Sequence, residues 1–147
     1  MRARRRPDVG VLAGVPPFDR YPPVLLAPLA VHADRLRLRD GTVVAREGRW
    51  AREVAVVVAG VLLAHRGDRP IGLFGPGTWV GAGELLDDRP HPVTLVAGEG
   101  LEVLVVTGPA YRWAVQTLPG LAERRVLDLR TAQAALERQE HGATFAG

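Results

Sequence analysis

Between residues 35 and 107, short apolar segments recur about every 8–12 residues, and turns rich in glycine or proline separate them. The longest apolar run, Val54–Ala64, is rich in valine and is interrupted by Gly60. It is shorter than the ~20 apolar residues that a membrane-spanning helix needs, so it predicts strands. The recurrence predicts a mainly β protein of about eight short strands, arranged as a sandwich, barrel or jelly roll.

The turns between the predicted strands have recognisable sequences. Asp40-Gly41 is a strong hairpin signal between the first two strands, and Gly60 closes the valine-rich strand. A turn at Arg66–Pro70 leads into the next strand. The strands are predicted at Arg35–Arg39, Thr42–Arg46, Glu53–Ala59, Val61–His65, Ile71–Phe74, Val93–Ala97 and Leu101–Thr107.

Helices are predicted on both sides of the β region. Val24–Ala33 is apolar on most faces and predicts a short helix, with a break or a late start at Pro28. After the strands, a helix is predicted at Ala110–Leu118 and a longer one from Leu121 to about Gln139. The longer helix carries apolar residues three and four apart, namely Leu129, Ala132 and Leu136.

Length and charge indicate one domain without a broad basic surface. The 147 residues suffice for one core, which we assign to residues 16–140, between a flexible basic tail (1–15) and a flexible C-terminus (141–147). All 19 basic residues are arginine, a bias typical of a GC-rich bacterial genome. Net charge is only +3, and four arginines lie in the first six residues, so no domain-wide nucleic-acid surface is predicted.

The chain lacks the residues that several functional classes require. The chain contains no cysteine, which excludes disulfides, thiol nucleophiles and zinc–thiolate sites. No serine–histidine–aspartate or paired-carboxylate arrangement stands out, so we expect no enzyme activity, no metal and no cofactor. No apolar stretch of signal-peptide type follows the basic N-terminus, and a cytoplasmic location is expected. The histidines lack the spacing of metal-ligand pairs; they are His32, His65, His91 and His141.

The stretch Gly75–Ala97, GPGTWVGAGELLDDRPHPVTLVA, is the most distinctive part of the chain. Gly81 and Gly83 precede a short helical turn, and an acidic–basic loop then leads to a strand. Glycines before a helical turn bring backbone N–H groups together, and such a place can hold an anion. The alternative is that these glycines only make a turn, as most glycine-rich turns in β proteins do.

Four segments follow one another in a distinctive order: LRDGTVVAREG (38–48), EVAVVVAGVLLA (53–64), GLFGPGTWVG (72–81) and PAYRWAVQTLPGLAERR (109–125). Together they resemble the cyclic-nucleotide-binding domain shared by the catabolite activator protein and the regulatory subunit of protein kinase A. The second segment is similar to a hairpin of that family, and the third to the lead-in to its phosphate-binding cassette. The resemblance implies an antiparallel β-roll flanked by an N-terminal helix and C-terminal helices.

In that family, a glutamate after the cassette's first glycine accepts a hydrogen bond from the ribose 2′-hydroxyl. An arginine about nine residues later clamps the phosphate, and a serine or threonine follows it. Aligned without gaps, Gly81 takes the glycine position, Ala82 the glutamate position, His91 the arginine position and Pro92 the serine or threonine position, while Leu85 matches an apolar residue. The resemblance therefore implies a degenerate cassette that has lost all three polar groups.

A shifted register keeps the chemistry but changes the spacing. Gly83 and Glu84 then form the glycine–glutamate pair, and Arg89 clamps the phosphate from a shortened cassette. This alternative implies a true cyclic-nucleotide sensor. The gapless register implies a stand-alone regulatory or protein-interaction module that does not bind cyclic AMP or cyclic GMP tightly.

Expectations about partners follow from the same features. We expect an unknown protein partner and a possible homodimer through the C-terminal helix. No helix-turn-helix is predicted after that helix, so no specific DNA binding is expected, and any contact through the arginine tail should be weak and salt-dependent. No membrane association is predicted. Jelly rolls also house metal-dependent enzymes, but the scattered histidines argue against that class here.

Overall fold

The computed structural model describes residues 9–16 and 18–121. Four α-helices, a 3₁₀ helix and eight strands lie in this part of the chain. In chain order they are α1 (Val9–Ala13), the 3₁₀ helix (Phe18–Arg20), α2 (Pro23–Ala30), β1 (Ala33–Arg37), β2 (Val43–Ala45), β3 (Glu53–Ala59), β4 (Leu62–Arg66), β5 (Arg69–Phe74), β6 (Trp79–Val80), α3 (Ala82–Asp87), β7 (Thr94–Ala97), β8 (Glu102–Thr107) and α4 (Gly108–Thr117).

The strands form two four-stranded antiparallel sheets. The central sheet has the order β1-β8-β3-β6, and the outer sheet has the order β2-β7-β4-β5. The outer sheet packs on one face of the central sheet, and the helices pack on the other. The predicted antiparallel β-roll with flanking helices is therefore confirmed.

The valine-rich run of β3 follows from this layering. Successive side chains of a strand point to opposite faces, and both faces of the central sheet are covered. Val54 and Val56 face the helices while Ala55 and Val57 face the outer sheet, and all four are at most 6% exposed. The outer sheet has one solvent face, so its β4 alternates: Leu63 is exposed between two buried neighbours.

Two apolar cores lie on either side of the central sheet. On the helix side, the ring of Trp79 lies 5.7 Å from that of Phe18 and 5.8 Å from that of Tyr111, measured between centroids. This contact joins the 3₁₀ helix, β6 and α4. The core between the sheets contains smaller side chains, including the fully buried Leu62 and Leu95.

Two predicted hairpins are wrong, although the turns exist. Strand β1 pairs with β8, and β2 pairs with β7, so Asp40-Gly41 joins strands of different sheets. Gly60 likewise joins β3 of the central sheet to β4 of the outer sheet. Local turn signals cannot reveal this, because the partners of these strands lie far away in sequence. The turn within Arg66–Pro70 does join a true hairpin, β4–β5.

The N-terminal part of the domain begins earlier than predicted. Residues 9–15 belong to the predicted flexible tail, but α1 and the turn after it pack on the domain, with Leu12 fully buried. Helix α2 starts at Pro23 and continues through Pro28 without the predicted break, ending at Ala30. The N–H that Pro28 lacks would bond to the carbonyl of Val24, and Val24 as a whole residue is 77% exposed, so water can reach this turn of the helix.

The C-terminal helices are only partly within the described residues. Helix α4 confirms the predicted helix after the strands, and the hydroxyl of Thr107 caps it by accepting from the Ala110 N–H at 3.3 Å. The longer helix predicted from Leu121, with its apolar stripe, lies outside the described residues beyond its first residue. Residues 1–8 and 141–147 lie outside them too, so the tails stay predictions.

A close backbone approach at Gly60 holds the end of the β-roll together. Gly60 has a φ of +81°, and a Cβ placed on it would lie 2.3 Å from the Gly100 carbonyl oxygen. Gly41 also has a positive φ, of +85°, but a Cβ there would have no neighbour within 4 Å. Replacing each of the two glycines by alanine therefore distinguishes the cost of the left-handed backbone conformation from the cost of steric overlap.

We expect Gly41→Ala to cost about 1–2 kcal/mol of unfolding free energy, from the left-handed conformation alone. Gly60→Ala should cost about 2–5 kcal/mol, because the overlap with residue 100 adds to the same conformational term. Urea denaturation followed by circular dichroism measures both. Equal losses in the two variants would contradict the close approach.

Candidate functional site

The cassette, residues 81–92, begins at a glycine that no other residue can replace without strain. Gly81 follows β6 with a φ of +86° and stands at the N-cap of α3. A Cβ on it would lie 2.7 Å from the carbonyl oxygen of Glu53 and 3.7 Å from Cε1 of His91. The structure therefore brings Gly81 and His91 together, with the start of β3 beside them.

Helix α3 is short and turned inward. Ala82 is 1% exposed and belongs to the helix-side core, as does Leu85. Gly83 and Glu84 are buried in the same turn, and Glu84 is only 4% exposed despite its charge. Among the residues predicted for the site, Ala82 and Leu85 thus contribute apolar packing.

Helix α4 holds α3 in place through Arg112, a residue that the sequence analysis did not single out. Its Nη2 donates to the carbonyl oxygen of Leu85 at 2.8 Å. A Cβ on Gly108 would lie 3.3 Å from Cδ1 of Leu85, so the start of α4 touches the same residue. No sequence signal indicated this contact, because 27 residues separate its two partners.

Arg89 follows a tight turn at the end of α3. Asp88 has a φ of +56°, and the Arg89 N–H donates to the Glu84 carbonyl oxygen at 2.9 Å. The Arg89 guanidinium donates to Oδ2 of Asp87 at 2.6 Å. Its Nε is buried and has no hydrogen-bond partner among the described residues. Glu84 and Arg89 are thus joined through their backbones.

Backbone hydrogen bonds join His91 to the connection between β2 and β3, residues 46–52. Its N–H donates to the Arg49 carbonyl oxygen at 2.8 Å, and its carbonyl accepts from the Gly48 N–H at 2.9 Å. The side chain is 9% exposed, and Nδ1 has no hydrogen-bond partner within the described ranges. Burial lowers the pKa of His91 more than the nearby charge of Glu84 raises it. His91 is therefore a neutral imidazole at pH 7.

Pro92 completes the cassette without a backbone donor. A proline has no N–H, and the Pro92 carbonyl accepts from Nε of Arg66 at 3.4 Å. Two residues further, the hydroxyl of Thr94 accepts from the Glu47 N–H at 3.1 Å. The segment after the cassette is thus tied to the β2–β3 connection and to the end of β4.

A cavity of about 350 Å³ lies between the β2–β3 connection and the inside of the roll. Of the eight residues predicted for the site, it is lined by His91 alone. Its apolar lining includes Leu36, Leu38, Ala55, Val80, Val103 and Val105. Its polar and aromatic lining includes Arg46, Arg49, Trp50, Arg52, Glu53 and His91.

The residues of the β2–β3 connection were not predicted as site candidates from the sequence. The available signal was the segment AREGRWARE, which carries three arginines around one tryptophan within nine residues, 45–53. Within the described residues, no cluster of three or more histidine, cysteine or acidic side chains is placed to bind a metal ion. No helix in this part of the chain has the length and apolar character required to cross a membrane.

The lowered pKa of His91 should appear as a pH dependence of stability. In the unfolded chain the imidazole titrates near its ordinary pKa of 6.5, whereas the folded chain takes up that proton only at lower pH. Between these values the unfolded state binds more protons, so stability falls as pH falls. We expect His91→Gln to flatten the decline in unfolding free energy between about pH 7 and pH 5. An unchanged slope in urea denaturation would count against this assignment.

The contact of Arg112 with Leu85 should steady the cassette helix. A hydrogen bond from a charged donor contributes about 1.5–3 kcal/mol, which corresponds to roughly tenfold to a hundredfold in a local opening equilibrium. We expect Arg112→Gln to speed amide hydrogen exchange at Leu85 and Arg89, whose N–H groups bond within α3 and its cap. Gln116→Ala, an exposed change on the same helix, is the control and should leave those amides unaffected.

The model of the family "Cyclic nucleotide-binding domain" matches residues 35–117, more than half of the chain. The search of curated proteins found no match to this chain. Among solved structures, a cyclic nucleotide-binding-like protein from Brucella abortus is 31% identical, with a TM-score of 0.60. That match covers 74% of this chain and 97% of the Brucella protein.

Two further structures are similar over longer parts of this chain. The cAMP-bound PfPKA-R structure has a TM-score of 0.70 at 16% identity, covering 90% of this chain. A cAMP-binding acyltransferase from Mycobacterium smegmatis has a TM-score of 0.67 at 30% identity, covering 80% of this chain. The chain spans 46% and 38% of these two proteins, less than half of each. From the family match and the shared β-roll it follows that the chain belongs to the cyclic nucleotide-binding domain family.

Proposed function

We propose that the chain is a regulatory or protein-interaction module of this family whose cassette does not bind cyclic AMP or cyclic GMP tightly. The observation that carries the proposal is the chemistry of three cassette positions. Ala82, His91 and Pro92 stand where the family's ribose acceptor, phosphate clamp and phosphate donor are expected. All three side chains are at least half-buried, and none carries a charge at pH 7.

The place of Gly81 supports the gapless register on which this proposal rests. It precedes α3 in a left-handed conformation, as a glycine that opens a cassette helix should, while Gly83 lies inside the helix. Ala82 then occupies the glutamate position and has no group to bind a hydroxyl. Each lost charge-assisted contact is worth roughly 1.5–3 kcal/mol. Losing two weakens binding by roughly 10²–10⁴-fold.

His91 and Pro92 cannot replace a guanidinium and a hydroxyl. The buried imidazole is neutral, so it offers a single N–H in place of a charged fork of donors. Pro92 has neither a backbone N–H nor a polar side chain. In addition, the carboxylates of Glu84 and Asp87 repel a phosphate from the cassette helix.

A regulatory role is favoured by the connection between α3 and α4. Leu85 contacts the start of α4 at Gly108 and accepts a hydrogen bond from Arg112. A displacement of α3 would therefore displace α4 and the chain that follows it. In this proposal a protein partner binds differently according to the position of α4, and the domain itself performs no catalysis. A homodimer through the C-terminal helix remains part of the proposal.

The alternative function is a cyclic-nucleotide sensor that uses Glu84 and Arg89. One observation favours it: Nε of Arg89 is buried without a hydrogen-bond partner within the described residues, so the side chain retains a donor. The Mycobacterium smegmatis acyltransferase, which is 30% identical, is described as cAMP-binding. Against it, the guanidinium is already bound to Asp87, its near neighbour.

Calorimetric titration with cyclic AMP and cyclic GMP tests the proposal. We expect no binding by the wild type at micromolar concentration, because the contacts that confer tight binding are lacking. The triple variant Ala82→Glu, His91→Arg, Pro92→Ser should acquire binding if the backbone scaffold is intact. Wild-type binding that Arg89→Ala abolishes and Arg69→Ala preserves would instead establish the alternative.

A further inference from the structure

Three arginines line the cavity beneath the β2–β3 connection and have no ion-pair partners among the described residues. Arg46, Arg49 and Arg52, hereafter the cavity arginines, are exposed side chains. The ion pairs in the described part of the chain involve other arginines, such as Arg35 and Arg89. None of the cavity arginines donates a side-chain hydrogen bond there either. Their guanidinium groups are thus available to an anion.

The charges around the cavity favour an anion over a cation. Glu53 is the one acidic residue among the cavity's lining residues, against the three cavity arginines. Glu84 affects His91 electrostatically but does not line the cavity. The excess of two positive charges remains at neutral pH, since arginine stays protonated. Planar guanidinium groups also match the geometry of carboxylate and phosphate oxygens.

A second, independent observation is the ring of His91. It lines the cavity, it is more than nine-tenths buried, and its Nδ1 has no hydrogen-bond partner among the described residues. Nδ1 itself is closed to solvent, so a head group in the cavity bonds to it when the imidazole ring turns, which removes the cost of a buried polar atom without a partner.

Most of the remaining lining of the cavity is apolar. Leu36 and Leu38 of the β1 side and Ala55, Val103 and Val105 of β3 and β8 line it. Trp50, 58% exposed, lies with the arginines and offers an aromatic surface. A volume of about 350 Å³ is in the range that small-molecule sites occupy. The cavity thus combines an apolar body with a cationic opening.

We propose that this cavity binds a small organic anion with an apolar body, such as a carboxylate or a phosphate monoester on a hydrocarbon chain. The head group binds the cavity arginines and His91, and the apolar body lies against the strands of the roll. This inference goes beyond the proposed function, because apart from His91 the eight cassette residues do not line the cavity. It therefore stands or fails independently of cyclic-nucleotide binding.

Three probes that share an eight-carbon tail and differ in their head groups test the proposal on the full-length polypeptide. They are octanoate, octyl phosphate and the neutral octan-1-ol, titrated by calorimetry and by nitrogen-15 NMR, the two anions below their micelle concentrations and the alcohol below its solubility limit. We expect saturable one-to-one binding of at least one of the two anions, at least about tenfold tighter than that of octan-1-ol. Whichever anion binds more tightly identifies the head group, and the ring nitrogens of His91 should shift with it.

A matched pair of charge variants assigns the site. Replacing the cavity arginines together by glutamine should weaken binding of the preferred anion at least about tenfold. The control replaces three other exposed arginines by glutamine, Arg20, Arg39 and Arg69, which removes the same net charge. It should leave the affinity unchanged. Ala55→Leu, which fills the cavity from its apolar side, should abolish binding while the charges stay.

Three results would overturn the proposal. The first is the absence of saturable binding of either anion, or binding no tighter than that of octan-1-ol. The second is equal weakening by both triple variants, which would indicate non-specific attraction. The third is a set of NMR shifts confined to the outer groove of the β4–β5 hairpin around Leu63 and Leu73, which are exposed apolar residues.

Discussion

The burial of both faces of the β3–β8 pair is the constraint on which the rest of this structure depends. β3 pairs with β8 over nearly its whole length, and side chains from both strands enter both cores. Each fully buried aliphatic side chain contributes about 1.5–3 kcal/mol relative to an exposed one. The helices and the outer sheet must therefore cover opposite faces of the same two strands, which leaves the connections between them at the edges.

The start of β3 is where the cassette and α4 meet. Gly81 lies against the carbonyl of Glu53, and the N–H of Gly108 donates to the carbonyl of Arg52 at 3.0 Å. Both approaches require a residue without a side chain at the contact. Leu85 then links the two helices that begin there. A ligand or partner that moved α3 would act on α4 through this short path, whichever chemistry binds it.

The charged groups of the cassette differ in their partners from those of the β2–β3 connection. Within the cassette, Arg89 is bound by Asp87, and His91 is buried and neutral. In the connection, the cavity arginines have no ion-pair partners among the described residues. Backbone hydrogen bonds of His91 with Arg49 and Gly48 join the two segments. His91 thus stands between a cassette with a net negative charge and an opening with excess positive charge.

The sequence by itself determined the fold class, because alternating and continuous apolar patterns report on burial, and glycine or proline on turns. Seven of the eight strands in the described residues and α4 were predictable for that reason, whereas β6 (Trp79–Val80) was not predicted. The position of Gly81 at the head of the cassette came from the family resemblance and stays a prediction. Only the tertiary structure decided the strand partners, so Asp40-Gly41 and Gly60 proved to join different sheets. The tertiary structure alone also brought Arg112 into contact with Leu85 and formed the cavity that the cavity arginines line. Such contacts join residues far apart in the chain, and no local pattern encodes which distant segment a side chain will meet.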